Sequence, residues 1–576
     1  MTFVADPVAP AHRARRGWNA PLRAHVAALA VVLLALMPLI GTGSSFSADE
    51  GAAAVQARSL SRGDGWIVGH PVPEADPTGV NYPLELSERG VDGVAPFGKH
   101  PLYALLLAAA DRAGGTTAMV LLSLLGTVAA AGLAGALARR LDPAIARPAV
   151  WVVGLASPLV FHGYLLIAHS LGAALAAAGV LAAIVALERR SVVLALAGAP
   201  ALAACVLLRT EGIFIAAALA AVAGVVALAR REVRLVAAVV ALESLVAGVA
   251  AHFVEDWWTV RLLGGGGLPG VGGPAVSAGS NLVNDRIHGF VVTWLTPGYG
   301  GRIVTGMALL VMAAAVAAGA GAVRWRPTDE RRIRLFAVVA VGAAVVALVS
   351  GPTTVVPGLL LAFPLVVAGL LLVGRRTLRS EAARVAAGVS ALFVVAVIAT
   401  QYAKGGGGEW GGRYFALAIP LYVPVLLLAL RDAGARLTTR TARTALAALA
   451  ACSIVMTVIG VGALRSAHVR SARLVAAVDH AGTTVAEQSP IMVTTQGSMP
   501  RFAWSTFDRQ RWLLAEPEGL EDLLGRLRTV GVARVGFVTR DLTRDRVALD
   551  RAGVRVLSDD RSLGERGWHV LVLEIG

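Results

Sequence analysis

Residues 24–51 read AHVAALAVVLLALMPLIGTGSSFSADEG. An apolar run from Ala24 to about Gly41 is long enough to cross a bilayer, which takes roughly 20 such residues. It ends in Gly and Ser, and the next charged residues are the adjacent acids Asp49 and Glu50. The stretch therefore places two carboxylates where a first membrane span meets water. Ser45, Ser47 and Ala48 loosely resemble a signal-peptide cleavage site, but the run is longer than a signal core and reads as an uncleaved anchor.

The same pattern recurs along the 576 residues, of which 56% are hydrophobic and 15% charged, with a mean hydropathy of +0.69. Apolar runs near 24–41, 116–138, 148–166, 171–187, 192–208, 211–229, 235–253, 303–323, 335–350, 357–374, 385–402, 414–430 and 444–463 predict a polytopic α-helical membrane protein of about 13 transmembrane helices. With the N-terminus cytoplasmic, the inside segments hold 25 of the 52 Lys and Arg and only 8 of the 37 acids. This is the positive-inside pattern. It explains the net charge of +15 and pI of about 10.9 by topology, with no nucleic-acid partner needed. Cys205 and Cys452, the two cysteines, both fall inside predicted spans, against a disulfide or zinc framework. The Ala, Gly and Arg bias suggests a GC-rich bacterial genome and a multi-pass protein of the bacterial plasma membrane.

Three regions follow: a basic tail over 1–23, a membrane domain over 24–463 and an extracytoplasmic segment over 464–576. In the last, strands at 491–495, 534–539, 554–558 and 568–574 and helices at 517–530 and 541–552 predict a small α/β domain. It lacks a glycine-rich phosphate loop. The first outside loop, 42–115, is the longest, with an interfacial helix at 50–62 and an amphipathic segment at 101–113 too short to span.

Ser47-x-x-Glu50 has capping-box spacing, so Glu50 can close a helix start while Asp49 serves as a general base at the membrane surface. The stretch Phe97-Gly98-Lys99-His100-Pro101-Leu102-Tyr103 puts cationic groups at the interface, where a lipid phosphate sits. Lys99 equally suits a snorkelling role. Glu409-Trp410-Gly411-Gly412-Arg413-Tyr414 is a Gly-rich loop ending in an arginine, whose guanidinium can bind phosphate oxygens bidentately. Trp410 suits sugar stacking or the aromatic belt. His169, in an outside turn, and Arg209-Thr210-Glu211 face the same compartment. Glu243 is an acid near mid-span, costly unless paired or hydrated. Arg261, Arg286 and Arg302 are further outside cations. Glu74, Asp76, Glu85, Glu88 and Asp92 are candidates for a second carboxylate or for ligands to a divalent metal.

A first span, an outside Asp-Glu opening an Ala-rich helix, Gly65-Trp66, and then Lys99-His100-Pro101-Leu102-Tyr103 before the second span resembles the GT-C glycosyltransferases, in their aminoarabinose-transferase-like and protein-mannosyltransferase-like branch. The motifs cover 42–115 and the multi-span layout covers 24–463. The resemblance implies transfer of a sugar from a polyprenyl-phosphate-linked donor to a glycan, lipid or protein acceptor at the outer face. It implies a catalytic role for the Asp-Glu pair, Asp49 and Glu50. It further implies a lipid-phosphate contact from the motif of Lys99, Pro101, Leu102 and Tyr103. Beside these, the residues themselves make His100 and Arg413 candidates for the donor phosphate, and Tyr103, His169, Glu409, Trp410 and Tyr414 candidates for substrate contacts. His100 stands where the family has a first proline. A lipid or glycan transporter, with Glu243 as its deep acid, and a non-catalytic scaffold with a binding C-terminal domain are the competing readings.

Overall fold

Ser47, Asp49 and Glu50 start a helix because the chain must turn out of the first span and satisfy free backbone N–H groups. In the computed structural model of the protein, α1 (Leu22–Ile40) is that span and α2 (Ala48–Arg62) follows it directly, closed at Gly63 in the left-handed region. The structure describes residues 21–43, 45–84, 88–89, 94–97, 100–262, 282–295, 303–351, 356–400, 410–486, 489–560 and 568–576.

The next helix, α3 (Pro101–Leu141), contains its own hinge. Gly114 and Gly115 leave helical geometry, Gly115 at φ 63, which a residue with a Cβ adopts only with strain. The hinge separates the amphipathic 101–113 segment, packed on α2, from the span proper. Arg139 and Arg140 close the last turn. Further long helices are α4 (His169–Arg189), α5 (Gly212–Ala229), α6 (Arg234–Leu262), α7 (Leu282–Trp294), α8 (Ile303–Trp325), α9 (Glu330–Val349), α10 (Glu381–Thr400), α11 (Ile419–Gly434) and α12 (Thr439–Val485).

Ten of the described helical segments are long and apolar enough to cross a membrane. The other three apolar runs of the sequence, 148–166, 192–208 and 357–374, are broken helices. Ser157-Pro158, Gly198 and Phe363-Pro364 mark their interruptions. A proline removes a backbone donor and unseats the preceding turn, whereas hydropathy registers only composition. The protein is a multi-pass membrane protein.

α12 does not stop at residue 463, where the apolar run ends. Its 47 residues extend about 70 Å at helical rise, more than twice the hydrocarbon thickness. Arg465, Arg470 and Arg473 end the apolar stretch without ending the helix. Beyond it lie β1 (Ile491–Thr494), α13 (Met499–Phe502), β2 (Arg511–Leu514), α14 (Leu520–Thr529), β3 (Arg534–Thr539), α15 (Leu542–Arg551), β4 (Arg555–Asp560) and β5 (His569–Glu574). The sheet order is β2-β1-β3-β5-β4, with β1 parallel to both neighbours and β5 antiparallel to both of its own.

Alternating residues bury both sheet faces. Val493, Leu513, Phe537 and Leu571 pack on Leu520, Leu523 and Leu527 of α14. Met492, Trp512, Val538 and Val570 pack on Leu474, Val478 and Ala481 at the end of α12. The first loop joins this domain at an edge: Leu514 N–H donates to Asn81 O at 2.9 Å, and Arg526 holds Ala75 O and Asn81 Oδ1 at 2.9 and 2.6 Å. The α/β domain is thus bound to the membrane helices by a continuous helix and by the 64–84 loop.

Candidate active site

The two acids at the start of α2 diverge. Glu50 is 1% exposed: its Oε1 accepts from the Phe46 and Ser47 N–H groups at 2.8 and 2.7 Å, and its Oε2 from the Leu166 N–H at 3.0 Å. Three backbone donors on one carboxylate bind the helix start to the turn that ends the broken 148–166 segment, a structural duty. Asp49 instead turns outward, with its side chain 37% exposed. Its Oδ2 lies 3.2 Å from Arg413 Nη1, and its Oδ1 lies 3.7 Å from Arg501 Nη1.

Arg413 owes its place to the two glycines before it. Gly411 and Gly412 have φ of 70° and 64°, and Gly411 N–H donates to Pro357 O at 2.9 Å. A Cβ on Gly412 would come within 2.7 Å of Thr293 O, and one on Gly411 within 2.3 Å of Pro158. Backbone conformation and space both demand glycine, and the turn they make aims Arg413 at α2. The guanidinium also lies over the Tyr414 ring, 5.1 Å from its centroid, and reaches the Tyr414 hydroxyl at 3.4 Å. Trp410 is 3% exposed and stacked on Phe161 at 5.1 Å, and its far edge lies against Gly460. Its ring is therefore part of the packing. Its carbonyl accepts from His162 Nε2 at 3.1 Å. Lys99 and Glu409 lie outside the described residues.

His100 precedes α3 with φ of 52°, an unusual conformation for a non-glycine residue. Its Nδ1 lies 2.7 Å from Glu255 Oε1, donated by α6, and both side chains are nearly buried. Tyr103 is 1% exposed one turn further on. His169 opens α4 at 1% exposure, its ring 5.3 Å from that of His162, and both its ring nitrogens are buried without a hydrogen-bond partner among the described residues. Arg209 and Glu211 form a two-point pair at 3.0 and 2.5 Å. Arg209 and Arg413 both act electrostatically on His162 and His169, and His100 acts on Glu211, so these groups form one neighbourhood.

Glu85, Asp92 and Arg302 lie outside the described residues, and Asp76, Glu74 and Glu243 stand apart. Asp76 is buried and builds a turn by accepting from the Val80 and Asn81 N–H groups at 3.2 and 2.6 Å. Glu74 pairs with Arg511 at 3.3 Å. Glu243 is buried in α6, bonded to Ser244 at 3.2 Å, and lies twelve residues from Glu255, about 18 Å along the helix. Among the described residues no three His, Cys, Asp or Glu side chains gather as a metal site.

No protein-family model matches this sequence, and no curated protein matches it. Among solved structures, it is similar to ArnT from Cupriavidus metallidurans in the apo state. The TM-score is 0.51 at 12% identity, over 96% of this chain and 97% of that one. ArnT from the same organism bound to undecaprenyl phosphate matches with a TM-score of 0.51 at 13% identity, over 95% and 97%. The chain shares the fold of these structures. The oligosaccharyltransferase AglB from Archaeoglobus fulgidus, in complex with an inhibitory peptide and a dolichol-phosphate, is a looser match. Its TM-score is 0.49 at 15% identity, over 93% of this chain and 71% of that one.

Within this fold, the start of α2 and the Gly411-Gly412-Arg413 turn before α11 meet at Asp49. Two participants escape sequence reading. Glu255 sits in Val-Glu-Asp-Trp-Trp at the polar end of α6, where an acid passes for a helix-end solvating group. Arg501 is one of the many arginines of the α/β segment, and no spacing singles it out. The glycine that immediately follows Asp49-Glu50 is the sole local hint: a Cβ on Gly51 would lie 1.8 Å from the Arg501 carbonyl oxygen.

Proposed function

We propose that this protein is an inverting membrane glycosyltransferase that moves a sugar from a polyprenyl-phosphate donor to an acceptor hydroxyl on the outer face of a bacterial plasma membrane. The observation that carries this reading is a partly exposed carboxylate, Asp49, held between two arginines on a GT-C scaffold. Asp49 accepts the proton of the acceptor hydroxyl as that oxygen bonds to the anomeric carbon. The bond from that carbon to the phosphate oxygen breaks, and the phosphate keeps the electron pair. Attack from the face opposite the leaving group inverts the centre.

Before donor binding, Arg413 and Asp49 neutralise each other. The donor phosphate draws Arg413 away, because a bidentate guanidinium–phosphate contact is strong and geometrically selective. Arg413 then stabilises the charge that develops on the departing phosphate, and Lys99 and His100 add to the same field. His169, with two buried nitrogens unpartnered among the described residues, supplies hydrogen bonds to sugar hydroxyls. The positive-inside pattern sets the N-terminus in the cytoplasm and the α/β domain outside. A lipid-borne donor suits that topology, since nucleotide sugars are cytoplasmic.

The test is Asp49→Asn, isosteric but without a basic oxygen. In membranes supplied with undecaprenyl-phosphate-linked sugars, its transfer is lost while the amount of folded protein is unchanged. An Asn variant with full activity would end the assignment.

A further inference from the structure

The chemistry above leaves the C-terminal α/β domain without a duty, yet that domain places a charge at Asp49. β1 is its winding centre, with β2 and β3 parallel on opposite sides. In open α/β sheets the crevice beyond the carboxyl end of such a strand is where ligands are handled. Here the chain leaving β1 at Thr494 passes through 495–498 into α13, which carries Arg501. The Arg501 side chain is 6% exposed with its Nη1 3.7 Å from Asp49 Oδ1, and its backbone touches Gly51. Further along α2, Arg58 and Arg62 both bind Asp508, at 3.1, 2.6 and 2.7 Å, and Arg58 lies 4.4 Å over the Trp504 ring. The domain is thus fastened to α2 along its length, with Arg501 at the end nearest the site.

We infer that Arg501 is a positioning residue that keeps Asp49 ionised and aimed, making the α/β domain a fixed wall of the active site. The inference rests on the proposed role of Asp49. It accounts for two arginines on one carboxylate: when the donor phosphate takes Arg413, Arg501 stays. A cation this close favours the charged carboxylate and lowers its pKa, so removing it raises the pKa and the base is lost at higher pH. The charged groups seen against Asp49 among the described residues include Arg413 from the turn before α11 and Arg501 from α13. On its own helix Glu50 points into backbone amides, and Arg58 and Arg62 lie two turns or more away with Asp508. On α3 Asp111 and Arg112 meet the far end of α2.

The test uses the full-length protein in lipid nanodiscs. Release of undecaprenyl phosphate from a panel of undecaprenyl-phosphate-linked sugars is followed against pH. In parallel, the Asp49 carboxylate band is titrated by difference infrared spectroscopy against Asp49→Asn, which needs no substrate. Arg501→Gln moves both midpoints upward by about one pH unit, the low end of the range for a nearby arginine, and Arg501→Lys recovers most of the shift. Gly51→Ala keeps every charge but forces the Arg501 carbonyl away, and it shifts the midpoints in the same direction. A loss of packing alone lowers folded yield and leaves the midpoints in place. Unchanged midpoints in Arg501→Gln overturn the inference. If instead Asp49→Asn retains full transfer, the functional assignment falls, and the infrared titration still judges Arg501.

Discussion

The two ends of the helical bundle hold opposite things. At the end where α2 and α3 begin, Asp49, Arg413, Arg501, His100, Glu255, Arg209 and Glu211 are drawn together with two buried histidines. At the other end, where α3 finishes and α9 starts, lies a cavity of about 660 Å³ lined by residues such as Ile145, Val316, Phe336, Ala340 and Leu449. Only Arg431 and Arg443 among its lining residues carry charge, and Arg431 is paired with Asp142. A reacting bond needs converging polar groups to orient and stabilise it, and they gather at the end where α2 and α3 begin.

Substitutions at the charged end should be costly, and substitutions at the apolar end should not. Asp49→Asn has the largest expected effect, a loss of about 10²–10⁴ in kcat, the usual contribution of a general base. Arg413→Ala follows with a loss on the order of 10² in kcat, as for removal of one group that stabilises developing negative charge. Arg413→Lys recovers part of it, since an ammonium cannot reproduce the fork. Both are read as initial rates of sugar transfer at saturating donor.

Glu50→Ala tests the divided pair from the other side. It strands three backbone donors and should destabilise the fold by about 3 kcal/mol or more. Thermal unfolding in detergent would show a lower midpoint, and the surviving folded fraction would keep its pH profile. The smallest effect is expected from Ala340→Leu in the apolar cavity, which adds volume to empty space and leaves transfer unchanged. A strong loss of activity there would erase the contrast between the two ends.

Much of this arrangement is legible in the residues. Ser47-x-x-Glu50 announces the helix start, and the structure gives its carboxylate to backbone amides. Four of the five strands in the C-terminal sheet follow from β-branched runs. β2 escapes because it is four residues long, begins with Arg511 and has no alternating pattern. The three broken spans escape because apolar content is uniform across a break made by backbone dihedral angles. Arg501 escapes for a different reason: its importance is set by the docking of one domain on another, some 450 residues apart in sequence, and local pattern does not encode that.

Cryo-electron microscopy of the protein with undecaprenyl phosphate in nanodiscs is the most direct test. The phosphate should lie within hydrogen-bond distance of the Arg413 guanidinium, with Asp49 released from Arg413, still paired with Arg501 and facing the phosphate's sugar-bearing side. A phosphate seated instead at Arg431 and Arg443, beside the apolar cavity, would contradict the placement of the active site.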